Sequence, residues 1–205
     1  MDSTARLSSL RLPVGTLLIG AAAGALYWMA PLQALLVYDR AAIGGGELWR
    51  LFTGNIVHHS GAHLFCNLTA FLIAGALVEM QDRRQLVQLC LFAGALIGAV
   101  LYAARPELIV FGGLSGIVTA LAVYLCLAGL DKVGACRWLC LMVLVLLAVK
   151  LATEILSGAS ILLSTGPRDF TPVPESHLVG AAAAALLFLR ERLRHETSRV
   201  RMISA

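Results

Sequence analysis

Ser115 stands in the run Phe111-Gly112-Gly113-Leu114-Ser115-Gly116. Glycines permit positive φ and a close approach of the backbone. A serine in the first turn of the following helix would meet N–H groups that have no intrahelical acceptor. Such donors can hold the oxyanion that develops when a serine attacks a carbonyl. The same run also fits a helix-capping serine between packing glycines, so the chemistry needs partners. A serine nucleophile requires a base, and imidazole has a suitable pKa. His177 is the candidate base, although a histidine at a helix end can equally serve as a structural hydrogen-bonding group. Gly116 and Ala120 on one segment, and Gly180 and Ala184 on the other, have the four-residue spacing that lets two helices approach closely. His63 and Asn67, at i and i+4, project from one helix face. Both carry N–H donors, which suits a carbonyl oxygen becoming an anion. A lone His-x-x-x-Asn would also serve as interhelical glue.

The elements that must position these residues are apolar. Of 205 residues, 59% are hydrophobic and 14% charged, against about 25% charged in ordinary usage. Six apolar runs, at 14–30, 62–78, 86–104, 114–130, 138–156 and 177–189, predict an all-α polytopic membrane protein folded as a six-helix bundle, one domain over 1–205. Pro31 is expected to end the first span, Arg105 and Pro106 the third. The sixth is short and is expected to end in an arginine cluster at the interface. Arg6 and Arg11 precede the first run, which reads as a retained helix and not as a cleaved leader. Two stretches between spans are long, 32–61 and 157–176, the second holding Pro167, Pro172 and Pro174. The first carries Trp49, Leu51, Phe52 and Ile56 among polar residues and should lie in the membrane interface.

Eleven Lys and Arg fall on one side of this topology and four on the other, so both termini are expected in the cytoplasm. That places Ser115, His177, His63 and Asn67 together near the outer face. The net charge of +4 follows from loop arginines. No basic stripe interleaved with aromatics indicates nucleic acid. The cysteines, Cys66, Cys90, Cys126, Cys136 and Cys140, form no CxxC pair and lie mostly in apolar runs, which argues for packing and against a disulfide framework or a metal site. No cofactor is implied. Lys150 and Glu154, at i and i+4, read as mutual neutralisation within the fifth span. Glu79 falls beside Asp82, Arg83 and Arg84, at the cytoplasmic interface. His195 lies in the basic tail. No acidic residue is evident as a third member beside serine and histidine, so a Ser115–His177 dyad is expected.

Together these residues resemble the rhomboid family of intramembrane serine proteases, from 49 to 184. Trp49-Arg50 is similar to the family's first-loop motif, His63-x-x-x-Asn67 to its second-helix motif, and Glu79 to the glutamate that often follows. Gly113-x-Ser115-Gly116 is similar to the nucleophile motif, and His177-x-x-Gly180 to the base motif. The resemblance implies that Ser115 attacks the scissile carbonyl, that His177 takes and returns its proton, and that His63, Asn67 and the Ser115 N–H hold the oxyanion. It implies a gate formed by the fifth helix and a cap formed by the loop before the sixth. Where some bacterial members have a further histidine, this chain has Gly54, leaving His58 as a candidate organiser of the first loop. The Gly-Gly-Leu-Ser-Gly run in a minimal six-span chain resembles the rhombosortase branch. That implies a bacterial inner-membrane enzyme acting on membrane-anchored proteins whose C-terminal transmembrane segment belongs to a glycine-rich sorting tail. The alternatives are a catalytically inactive rhomboid-like module that binds membrane proteins, or a small transporter using Lys150 and Glu154. No inverted repeat supports the transporter.

Overall fold

The computed structural model describes residues 12–157 and 173–203. Among them are nine helices: α1 Val14–Tyr27, α2 Ala30–Leu36, α3 Arg40–Gly44, α4 Arg50–Thr53, α5 Gly61–Gln81, α6 Arg83–Ala104, α7 Ser115–Gly129, α8 Ala135–Ser157 and α9 Pro174–Ile203. A 3-10 turn, Gly54–Ile56, follows α4. Two short strands, β1 Tyr38–Asp39 and β2 Val110–Phe111, pair antiparallel with Tyr38 opposite Phe111.

α5, α6 and α8, with 21, 22 and 23 residues, are long and apolar enough to cross a membrane. At about 1.5 Å per residue each exceeds the ~30 Å of a hydrocarbon core. Large apolar side chains point outward along them, including Phe65, Ile73, Leu77, Leu91, Val145 and Leu146. Water would not tolerate that surface; lipid does. The chain is an all-α integral membrane bundle.

The six apolar runs each hold a helix, with three corrections. The first run holds α1, which is long and apolar enough to cross only when taken together with α2, bent from it by 113°. Pro31 does not simply stop the helix. It sits in the first turn of α2, where a missing N–H costs nothing. The last run does not end at Leu189, because α9 continues through the arginine cluster to Ile203. Its Arg, Glu and Leu residues are good helix formers and no Gly or Pro interrupts them. The stretch 32–61 is about half helical, holding most of α2, then α3, α4 and the 3-10 turn. Pro167, Pro172, Arg168, Arg6, Arg11 and the His195 side chain lie outside the described parts.

α7 is the hub, packed most extensively against α9 and also touching α5, α6 and α8. Its Ile117, Ala120 and Leu121 meet a stripe of α6 formed by Leu89, Ala93, Ile97 and Leu101, all buried. α6 also seats α4. A Cβ on Gly98 would lie 1.9 Å from the Leu51 carbonyl oxygen, and one on Gly94 would lie 2.8 Å from the Phe52 ring. Small residues four apart are what allow this backbone contact.

The end of α2 is held by Trp49-Arg50 and Thr53. Arg50, buried, donates to the carbonyls of Ala34 at 2.7 Å and Val37 at 3.0 Å and pairs with Glu47 at 2.6 Å. Trp49 Nε1–H donates to Leu35 O at 3.2 Å, and the Thr53 hydroxyl to Leu36 O at 2.6 Å. These bonds satisfy carbonyls that a helix C-terminus leaves open. Glu79 does the converse at the start of α1. Its buried carboxylate accepts from the N–H groups of Gly15 at 2.8 Å and Thr16 at 2.7 Å, and from the Thr16 hydroxyl at 2.9 Å.

Two tests follow. Gly98→Ala should lower the melting temperature in detergent, because even a methyl must displace Leu51. Gly24→Ala, where nothing lies within 4 Å of the added carbon, should be neutral or raise it. Glu79→Gln should cost about 1–3 kcal/mol in the same assay by weakening the charge-assisted cap on α1.

Candidate active site

The backbone entering α7 is fixed from two sides. β2 pairs with β1, and the Gly113 N–H donates to Gly54 O at 3.2 Å. Gly113 has φ +142°, which side chains other than hydrogen rarely adopt. A Cβ there would lie 2.6 Å from His63 Cε1 and 3.5 Å from Asn67 Nδ2. Both side chains of the second-helix pair are buried and point at the segment that leads into Ser115. Ser115 is half-buried and is the first residue of α7. Leu114 makes no side-chain cap, and the geometry of a helix start leaves the first-turn N–H groups without intrahelical acceptors.

α9 completes the constellation through backbone contact. A Cβ on Gly180 would lie 2.1 Å from the Gly116 carbonyl oxygen, and one on Gly116 would lie 2.8 Å from the Ser176 carbonyl oxygen. The Ser115-Gly116 turn therefore faces the Ser176-His177 turn and the Gly180 turn above it. Ala120 and Ala184, one turn further along each helix, are fully buried. The start of α9 is tied down by an ion pair between Arg105, at the end of α6, and Glu175, and by the Ser176 hydroxyl, which donates to Val173 O at 2.8 Å.

Of the residues expected at the site, Ser115, His177, His63, Asn67, Gly113, Gly116 and Gly180 come together at this end of the bundle. Trp49 and Arg50 do not; they cap α2 instead. Gly54 is dictated by space, since a Cβ there would lie 2.8 Å from that of Tyr38. No larger side chain fits unless β1 moves.

Two side chains matter more than sequence reasoning allowed. His58 is 1% exposed. Its Nε2 accepts from the Leu114 N–H at 3.4 Å and lies 3.3 Å from Asn67 Nδ2. Both neighbours are N–H donors, so the ring is neutral and carries its proton on Nδ1. Its ring also meets that of His63 edge to face, centroids 5.2 Å apart. Glu154, 2% exposed, lies with Oε2 3.3 Å from His177 Nδ1 and 2.8 Å from Lys150 Nζ. The Lys150–Glu154 pair is present as expected from its spacing. Its contact with His177 crosses from α8 to α9, and no local pattern encodes it. The one signal was a carboxylate deep in an apolar run.

Burial, with the His63 ring beside it, pushes His58 from 6.5 down to about 3. A group whose folded pKa is depressed favours folding above its unfolded pKa, and that stability is lost as pH falls toward the folded value. The fold should therefore be steady above about pH 6.5 and lose about 2 kcal/mol from His58 by pH 5. Melting curves in detergent across this range should show the loss, and His58→Gln should reduce it.

No curated protein matches the chain. A family model does, that of the Rhomboid domain, over residues 45–192. The matched stretch runs from the Trp49-Arg50 cap through α5, α6, α7 and α8 into α9, so it contains all the helices that meet at the Ser115 end of α7. With well over half its length matched, this chain belongs to the rhomboid family of intramembrane proteases.

Proposed function

We propose that this protein is an intramembrane serine endopeptidase in which Ser115 is the nucleophile and His177 the base. The observation that carries the reading is the backbone contact of Gly116 with Ser176 and Gly180, which sets the serine turn against the histidine turn. The Ser115 hydroxyl adds to the scissile carbonyl carbon as its proton passes to His177 Nε2. The resulting oxyanion is met by N–H groups from Asn67, His63 and the first turn of α7. The tetrahedral intermediate collapses, the C–N bond breaks, and His177 returns the proton to the leaving amine. Water then adds to the acyl-enzyme with the same proton transfers, releasing the carboxylate and restoring the serine.

The length of α7 supports hydrolysis inside the membrane. Fifteen residues span about 22 Å, short of a ~30 Å hydrocarbon core. A short helix leaves room for its first residue to lie below the membrane surface, where it would be within reach of a peptide bond near the end of a substrate's transmembrane segment. The bias of Lys and Arg toward one side supports cytoplasmic termini and a site opening to the outer face. On the resemblance to the rhombosortase branch, the substrate is a bacterial inner-membrane protein anchored by a C-terminal transmembrane segment, and the cut releases its glycine-rich sorting tail.

Purified protein in liposomes should cleave a substrate that carries such a tail. Ser115→Ala and His177→Ala should each reduce kcat by about 10³-fold or more, and Asn67→Ala by about 10²-fold through loss of an oxyanion donor. A fluorophosphonate should label wild type at Ser115. Cleavage undiminished in Ser115→Ala would refute the mechanism. Absence of both labelling and cleavage would leave a non-catalytic module that binds membrane proteins.

A further inference from the structure

Along the 23 residues of α8 the one fully buried side chain is that of Glu154. Every other position on this helix is at least partly exposed, and Trp138, Leu139, Met142, Val145 and Leu146 face outward. A buried carboxylate in an apolar helix is costly unless charge and hydrogen bonds compensate it. Lys150 Nζ, 2.8 Å away, compensates one oxygen from the same helix. On a lipid-facing helix a charged pair avoids the hydrocarbon and turns to the bundle interior, where it can meet polar partners. This one is turned inward, and the same Oε2 lies 3.3 Å from His177 Nδ1 on α9.

We propose that Glu154 is the positioning residue for His177, making the site a Ser115–His177–Glu154 relay held together across α8 and α9. The inference rests on the protease reading of Ser115 and His177. For Nε2 to accept the serine proton, the neutral ring must carry its own proton on Nδ1. Two groups lie within 3.3 Å of that nitrogen, Glu154 Oε2 and Lys150 Nζ. Lys150 Nζ meets it at hydrogen-bond geometry and Glu154 Oε2 as an ion-pair contact; an ammonium has no acceptor to offer, so a proton on Nδ1 has only the carboxylate to go to. If Lys150 donated to Nδ1 instead, Nε2 would hold the proton and could not serve as base. Glu154 thus selects the productive tautomer, fixes the ring plane, and opposes the positive charge that the ring gains when it takes the serine proton. A contact of 3.3 Å is long for the resting state, and such contacts shorten as charge develops. Lys150 keeps the carboxylate ionised. Among the described residues, the other charged or titratable neighbours of this corner include the Arg105–Glu175 pair at the start of α9 and His63 on α5, with His58 and His59 beside it.

Two measurements test this. In Ser115→Ala protein with ¹⁵N-labelled histidine, assigned by the signal lost in His177→Ala, the neutral His177 ring should show Nδ1 protonated and Nε2 bare; the opposite tautomer would overturn the proposal. For cleavage, Glu154→Gln should lower kcat by about 10- to 10²-fold with KM within about twofold, and Glu154→Asp should recover part of the loss. Added to His177→Ala, Glu154→Gln should change nothing further. If Glu154→Gln does not fold, the charge-balanced Lys150→Met/Glu154→Gln pair carries the same expectations. Wild-type kcat in whichever variant folds, in enzyme that Ser115→Ala inactivates, would reject a positioning role and leave the protease reading intact. Cleavage surviving Ser115→Ala would reject the protease reading instead, while the tautomer would still report on the contact itself.

Discussion

The contact on which the rest depends is the one between two pieces of backbone, Gly116 of α7 and Gly180 of α9. Their approach leaves no room for a single methyl group. In lipid, apolar surface gains nothing by moving from tails to another helix, so association relies on close packing and on hydrogen bonds made at short range. Glycine supplies the closeness. Once these turns touch, the serine at the start of α7 and the histidine near the start of α9 occupy facing turns, and α7 becomes the hub against which α5, α6 and α8 are arranged.

A membrane fold must also account for every backbone group that lies away from water. The segment between α1 and α5 is where this is hardest, because the chain bends at α2 and passes through a strand, two short helices and a 3-10 turn. The bonds are supplied by side chains: Arg50, Trp49 and Thr53 close the end of α2, Asn55 Nδ2 donates to Gly94 O at 3.1 Å, and Arg40 donates to the Tyr102 and Arg105 carbonyls at the end of α6. The motif residues Trp49 and Arg50 thus act at a distance from the serine. They hold the frame on which β1 and Gly54 position Gly113, and Gly113 in turn meets His63 and Asn67.

Buried polar groups at the site end follow the same logic. His58 accepts from the backbone of Leu114 and neighbours the amide of Asn67, so one imidazole links the nucleophile's approach to a candidate oxyanion donor. Glu154 is shared between Lys150 and His177, and it lies on the least buried of the three long spans. The most loosely held span therefore contributes the carboxylate nearest the base, and that contact depends on where α8 stands.

Much of this was legible in the amino-acid order. Membrane residence, the six apolar runs, the i, i+4 pairing of His63 with Asn67 and of Lys150 with Glu154, and the small residues that let α7 meet α9 all follow from local composition and helical period, which each segment expresses by itself. Three things did not. The new helix that begins around Pro31, past the bend after α1, required knowing that a proline can begin a helix as well as end one. The capping duty of Trp49 and Arg50 required knowing which carbonyls lie near them after the chain turns back. The contact of Glu154 with His177 required the rotation and register of α8 against α9. Those are through-space relations, set when separate helices settle at their glycine contacts, and residues 23 positions apart carry no local signal of them. Sequence alone determined which residues could do chemistry; the tertiary structure decided which of them meet.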